Sequence, residues 1–343
     1  LPLIGPDDPV LTWVAPQAPE RDPEGVRLAR FPRAAAAAVA GQIGPTANLR
    51  SPAGCGLRLA TDSPWIELRL ARLRHHQPFP AACALEVEGP DGVHAVRGPD
   101  LRERQGEVVV RLPTGLERGR GTAPVALWLP CISTALVAGI ALADGAVAAA
   151  APAPPPRWLA IGDSLTQGFS VESPLDCWVH RVARRLALPV WNLGVGGIKI
   201  EPEAFAWALQ ARVWEVVTIG LGSNHAWRQS DADAVVEPAL RLARLACAGP
   251  HRRVVWILPP WKPCEEGLGP ADFQGVPLGA DTGARVRQVR EALRAALAPL
   301  APRLILAEGH VPADQRLLPD GLHPAAHGSA LIAERLAPIV AAS

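Results

Sequence analysis

The run AAAAPAPPP at 148–156 divides the chain into two stretches with different periodicities. Proline-rich sequence holds neither a ladder nor a helix and extends as a semi-rigid spacer. Before it, apolar residues recur with a period of two. WIELRLARLR at 65–74 sets Ile66, Leu68, Leu70 and Leu73 among charges. ALEVEGPDGVHAVRG at 84–98 gives two alternating runs about a Gly-Pro-Asp-Gly turn, and EVVVRLP (107–113) and VALWLP (125–130) follow. Short strands, frequent turns and no amphipathic helix between 45 and 145 predict an antiparallel, jelly-roll-like sandwich.

After the spacer the pattern alternates. Strand-like runs at 157–162, 189–194, 215–222, 253–259 and 303–309 are separated by helical stretches at 174–187, 231–248, 283–299 and 325–341. Asp231 or Asp233 suits the N-cap of the second stretch. Five βα units predict a five-stranded parallel sheet covered on both faces. The expected organisation is a β-sandwich over 1–147, a linker over 148–156 and an α/β domain over 157–343.

Composition excludes several classes. The 34 basic and 33 acidic residues leave a net charge of +1, which gives no electrostatic footprint for nucleic acid or an anionic membrane. Arg, Ala and Pro are in excess, and only two lysines occur, Lys199 and Lys262. The six cysteines form no C-x-x-C pair, so they read as buried free thiols of a reducing, cytoplasmic setting. RAAAAAVAG at 33–41 imitates the core of a signal peptide but is internal and short. The apolar stretch from Thr134 to Ala151 contains Asp144 and ends in proline, so it reads as buried strand and linker and not as a membrane span.

In a parallel sheet, ligands sit beyond the carboxyl ends of the strands. Four such ends carry chemistry. Ser164 closes the first strand in IGDSLTQGFS, where free backbone N–H groups favour a developing oxyanion; a plain N-cap serine is the alternative. The second strand ends in NLGVGG, with Asn192, Gly194, Gly196 and Gly197. A dinucleotide fingerprint fails there because its sixth position is Lys199. The third ends in GLGSNH and presents Asn224, whose amide can donate to an oxyanion. The chain has only three asparagines, and Asn192 and Asn224 both fall at strand ends. Beyond the fifth strand, LLPDGLHPAAHG places Asp320 three residues before His323, the spacing for a carboxylate that orients an imidazole base. A His323/His327 metal pair is the alternative, but no third ligand is evident and Pro324 intervenes.

GDSL (162–165), NLGVGG (192–197), GLGSN (220–224) and DGLHP (320–324) together resemble the four blocks of the SGNH/GDSL hydrolase superfamily. The resemblance covers about 157–343. It implies a flavodoxin-like three-layer fold, with Ser164 as nucleophile, His323 as base and Asp320 as its orienting group. It implies an oxyanion hole made of the Ser164 and Gly197 backbone N–H groups and the Asn224 side chain, with no metal or cofactor. His225 departs from the pattern, in which many members carry Asp. A β-sandwich before such a domain is similar to carbohydrate esterases that deacetylate sugars. It is also similar to GDSL acyltransferases that tailor polyketides, a salicylyl transferase of a tetracycline pathway among them.

The expected activity is serine-dependent acyl transfer, as an esterase or an O-acyltransferase. The partner is a small-molecule ester or acyl donor, with a carbohydrate or polyketide acceptor. The alternative is a carbohydrate- or ligand-binding protein with a degenerate hydrolase domain. The segment from Pro259 to Asp281 follows the fourth strand without helical or strand periodicity. It carries Trp261, Lys262 and Phe273, and Trp227 leaves the third strand on the same edge. These four residues are expected to line one wall of the substrate pocket.

Overall fold

The computed structural model describes residues 3–39, 41–42, 45–227 and 233–341. Two compact units are present. The first contains Leu1–Pro32, Ala47–Pro155 and Val171–Leu175; the second contains Arg33–Thr46, Pro156–Ser170 and Asp176–Ser343.

The first unit is an antiparallel sandwich. One sheet runs in the order Glu20–Asp22, Gly25–Arg27, Ser133–Leu142, Trp65–His75, Gly106–Pro113. The other runs Ala148–Ala149, Gly56–Thr61, Ala123–Trp128, Ala84–Gly89, Gly92–Arg97. Alternation sends Ile66, Leu68 and Leu70 from one sheet and Leu57, Leu59, Val125 and Leu127 from the other into a shared core. The strand expected at 107–113 has Val108, Val110 and Leu112 inward with charged or exposed residues between them. Two boundaries differ from expectation. Ala148 and Ala149 still pair with Thr61 and Ala60, so the ladder runs into the alanine part of the spacer and ends at Ala149, short of the first proline, Pro152. Pro45–Leu49 is a short helix within a stretch read as strand and turn.

The second unit is a doubly wound sheet of five parallel strands. They are Trp158–Gly162, Val190–Gly194, Val216–Gly220, Arg253–Ile257 and Leu304–Ala307, in spatial order second, first, third, fourth, fifth. Helices Trp178–Arg185 and Ala326–Ala341 pack together, and Pro202–Ala211, Val236–Ala248 and Ala280–Leu297 pack in series. This is the flavodoxin-like arrangement, with its switch point between the first and third strands.

Helix Pro202–Ala211 is not evident in the periodicity, because its apolar residues ring much of its surface. Proline at its first position starts it. The signal-like run at 33–41 contributes helix Arg33–Ala38, which packs on this helix within the second unit. Of the two N-cap candidates, Asp231 lies outside the described residues, and Asp233 opens a single 3-10 turn ahead of Val236. None of the six cysteines is in a disulfide, and five are buried. Among the described residues no helix is long and apolar enough to cross a membrane.

The segment 259–281 is structured. It forms a 3-10 turn at Pro263–Glu266, a two-residue hairpin of Asp272–Phe273 with Val276–Pro277, and the start of helix Ala280–Leu297. That helix presses on the turn. A Cβ at Gly283 would stand 2.2 Å from the Cys264 carbonyl oxygen. In an open helix, Gly→Ala stabilises by about 1 kcal/mol. Here the clash is with backbone, where overpacking costs about 1–3 kcal/mol. Gly283→Ala is therefore expected to lower the thermal midpoint; a raised midpoint would mean that the 263–266 turn yields freely.

Candidate active site

All five residues of the first parallel strand are buried. The chain leaves it through Asp163, the N-cap of a one-turn helix, Ser164–Gln167, that closes at Gly168 with φ 101°. The Asp163 side chain accepts from the Leu165 N–H at 3.0 Å. Capping thus falls to Asp163, and the neighbouring serine hydroxyl is left for other work. Burial pushes the Asp163 carboxyl up, against the Leu165 hydrogen bond and the charge of Lys262.

Ser164 Oγ lies 2.8 Å from His323 Nε2, and His323 Nδ1 lies 2.7 Å from Asp320 Oδ2. An ionised carboxylate only accepts, so Nδ1 carries the proton and Nε2 accepts from the serine hydroxyl. The other oxygen, Asp320 Oδ1, accepts from the backbone N–H groups of Leu322 at 2.9 Å and His323 at 2.7 Å. Gly321 between them has φ 79°, a left-handed position that lets the turn fold back on its own aspartate. Burial pushes the Asp320 carboxyl up, but the His323 hydrogen bond and charge and the two backbone N–H groups outweigh it and hold it at about 2. Both imidazole nitrogens are engaged, which disfavours the His323/His327 metal reading.

The first three strands end in register, with Gly162 opposite Gly194 and Gly220. A Cβ on Gly194 would lie 2.2 Å from the Gln167 backbone nitrogen. Glycine there lets the one-turn helix sit directly on the strand ends. Asn192 locks the seat: its Nδ2 donates to the Thr166 carbonyl at 2.7 Å, and its Oδ1 accepts from the Gly194 N–H at 2.9 Å. Asn192 is therefore a buried brace, not the site-facing donor its strand-end position suggests. Gln167 Oε1 accepts from the Gly196 N–H at 2.7 Å. The turn Val195–Ile198 follows, closed by the Ile198 N–H on the Val195 carbonyl, with Gly197 at φ 79°. That is the glycine position of a type II turn.

Asn224 Nδ2 donates to the Ile198 carbonyl at 3.0 Å. The amide nitrogen has a second hydrogen, so the same group can also donate to a ligand. Next to it, His225 Nε2 accepts from the Ile200 N–H at 3.1 Å. Burial, and then the charge of Lys199, push His225 down to about 4, so it is neutral near pH 7. Where Asp was the expected neighbour, a neutral histidine supplies the acceptor.

The expected pocket wall divides. Phe273 meets the His323 ring at 5.4 Å, and Trp227 meets Phe273 edge-on at 5.9 Å. Phe169 flanks the same imidazole at 5.2 Å. No sequence signal beyond its place five residues after Ser164 marks it. Among the described residues, Trp261 is not one of the rings that meet His323; its indole N–H donates to Glu266 at 3.0 Å. Lys262 is not a wall residue either. It is 2 % exposed, and its ammonium donates to the Leu322 carbonyl. Ser170 Oγ, at 3.5 Å from Asp320 Oδ2, also escapes sequence reasoning.

The family model described as GDSL-like Lipase/Acylhydrolase matches residues 160–331. No curated protein sequence matches the chain. Among solved structures, a salicylyl-acyltransferase, SsfX3, from a tetracycline biosynthetic pathway is similar at 22 % identity and TM-score 0.71, over 97 % of this chain and 94 % of that one. A family two carbohydrate esterase from Clostridium thermocellum, in complex with cellohexaose, is similar at 17 % identity and TM-score 0.60, over 96 % and 98 %. An acetyl xylan esterase, Est2A, from Butyrivibrio proteoclasticus is similar at 14 % identity and TM-score 0.53, over 87 % and 94 %. At these identities the likeness shows a shared fold.

The Asp320 network has a pH signature. Its folded value of about 2 lies below the ordinary 3.8. A depressed carboxyl stabilises the fold above its unfolded value, and the contribution is lost as pH falls through the folded one. Between about pH 4 and pH 2 the wild type should therefore lose roughly 2 kcal/mol more stability than Asp320→Asn. Urea midpoints across that window measure the difference; parallel pH slopes would remove Asp320 from the network.

Proposed function

The chain belongs to the GDSL-like lipase/acylhydrolase family, and from that premise we propose that it moves acyl groups through an ester on Ser164. It is a GDSL-type enzyme of the esterase and acyl-transfer class. The observation that carries the serine mechanism is the continuous hydrogen-bond line from Ser164 Oγ through His323 to Asp320.

His323 Nε2 takes the hydroxyl proton as Ser164 Oγ attacks the ester carbonyl. The imidazolium that forms is stabilised by Asp320, which stays ionised. Negative charge on the carbonyl oxygen is met by the Ser164 and Gly197 N–H groups and the Asn224 amide. Collapse expels the alcohol, which leaves with the proton from Nε2, and an acyl-serine remains. Water or a second alcohol then gives its proton to Nε2, attacks the acyl-serine and restores the hydroxyl. Water yields an acid and makes the protein an esterase; an alcohol yields a new ester and makes it an O-acyltransferase.

The rings of Phe169 and Phe273 against His323, with Trp227 edge-on to Phe273, favour a flat, ring-bearing acyl or alcohol group. The salicylyl group named for one structural relative has that character, and the cellohexaose of another is a ring-bearing alcohol. The aromatic side chains favour an aryl group of the first kind.

Ser164→Ala should abolish release of p-nitrophenol from p-nitrophenyl esters while the protein stays folded; retained turnover would refute the serine mechanism. Asn224→Ala should lower kcat by roughly 10²–10³ with little change in KM. A change confined to KM would make Asn224 a binding group. Phe273→Ala and Trp227→Ala should weaken discrimination for p-nitrophenyl benzoate over the acetate by about 1–3 kcal/mol in kcat/KM. Equal loss on both esters would place the rings outside the pocket.

A further inference from the structure

Lys262 is an unusual residue for this chain. Of the 34 basic residues only two are lysines, and this one is buried to 2 % exposure. Its stem comes from the turn Pro263–Glu266, which is held from two directions. The Lys262 N–H donates to Glu265 Oε1 at 2.9 Å, and Arg290, on helix Ala280–Leu297, donates to the Glu265 carboxylate and to the carbonyls of Pro259 and Pro260. That helix also closes on the Cys264 carbonyl through Gly283. The anchor is thus rigid before the ammonium is placed.

The ammonium donates to the carbonyl of Leu322. Leu322 lies between Asp320 and His323, in the turn whose two N–H groups fold onto Asp320 Oδ1. The charged and titratable groups that face Lys262 are Asp163, Asp320, Glu265, Cys264 and His310. Asp163 caps the helix that begins with Ser164. The Lys262 cation therefore stands among two carboxylates that flank the hydroxyl–imidazole pair, the buried Asp163 and the half-buried Asp320.

Resting on the acyl-transfer reading above, we propose that Lys262 is a positioning residue for that reaction. It ties the turn carrying Asp320 and His323 to the long helix, and its fixed charge offsets the pull of the carboxylates on the imidazole proton. Asp320 orients the ring but also favours its charged form, which cannot act as a base. A nearby cation opposes that second effect without disturbing the first. Burial pushes the Lys262 amine down, and Asp163, Asp320, Cys264 and Glu265 oppose that shift. A compact ammonium on a slender stem fits a closed site where a planar guanidinium would need more room.

Removing a positive charge favours the protonated form of every acid around it. Lys262→Met should therefore move the acid limb of the kcat/KM profile up by about one pH unit and lower its plateau more than tenfold, with KM little changed. A rate loss with an unmoved acid limb would mean packing alone and overturn the proposal. The native Lys262 side chain gives a second reading that needs no change at position 262. With two lysines in the chain, 13Cε-lysine labelling yields two resonances, and Lys199→Arg assigns them. The Lys262 resonance should have an ammonium shift at pH 7 and an inflection at the pH of the acid limb. A neutral-amine shift, or no inflection, overturns the proposal. Because the Ser164→Ala assay separately decides whether the acyl-serine exists, failure of either idea is recognisable apart from the other.

Discussion

The second unit depends on how closely the one-turn helix Ser164–Gln167 sits on the ends of the first two parallel strands. A Cβ at Gly162 would lie 2.0 Å from the Thr166 hydroxyl, and one at Gly194 would lie 2.2 Å from the Gln167 nitrogen. No side chain larger than hydrogen fits either gap. The close seat brings Thr166 and Gln167 within reach of Asn192 and Gly196. The serine and the glycine turn beside it thus become one hydrogen-bonded body. An oxyanion hole needs its donors fixed before charge develops, because reorganisation during the reaction would spend their effect.

The same body shows how polar groups survive burial. Asp163, Asn192, Gln167, His225 and Lys262 are all buried, and each bonds to backbone close to the site. A buried polar group without a partner costs several kcal/mol, so each of these bonds also fixes geometry. The sheet supplies the frame, and its switch point leaves a crevice. The braces fix the peptide groups of Thr166, Gly196 and Ile200. Around Ser164 and His323, the buried polar side chains mainly hold peptide groups in place.

The strand ends were the legible part of the sequence. Alternating strand and helix signals give a parallel sheet, and function then gathers at carboxyl ends. That reasoning finds Ser164, Asp320 and His323, which are close together in space. It cannot tell a donor from a brace. Asn192 and Asn224 look alike in sequence, and each donates to a backbone carbonyl; what separates them is that Asn192 is buried with its Oδ1 also taken, by the Gly194 N–H. It also treats a region without periodicity as open loop. Pro259–Asp281 has no period because it is built from tight turns held by Arg290 and Gly283, so Lys262 reads as pocket wall when it is buried behind the turn. Phe169 and helix Pro202–Ala211 leave no signal for related reasons. A single ring has no period, and a helix packed on much of its surface has no polar stripe.

Charge balance links the remaining features. At rest the site holds a buried carboxylate, Asp163, a half-buried one, Asp320, and a buried cation, Lys262. The proposed reaction would add an oxyanion and an imidazolium, a pair with no net charge. Any further fixed negative charge beside the oxyanion would oppose its formation. His225 occupies the position next to the Asn224 donor, where a carboxylate could equally accept the Ile200 N–H. A histidine pushed down to about 4 makes the same bond and stays neutral through the working range. Asn224 and His225 together pin the chain where it leaves the glycine turn, at Ile198 and Ile200, and add no charge to it. Within the acyl-transfer mechanism, replacing the expected aspartate with histidine is therefore consistent with a competent oxyanion hole. It keeps the acceptor that shapes the loop and removes the charge that would work against the loop's purpose.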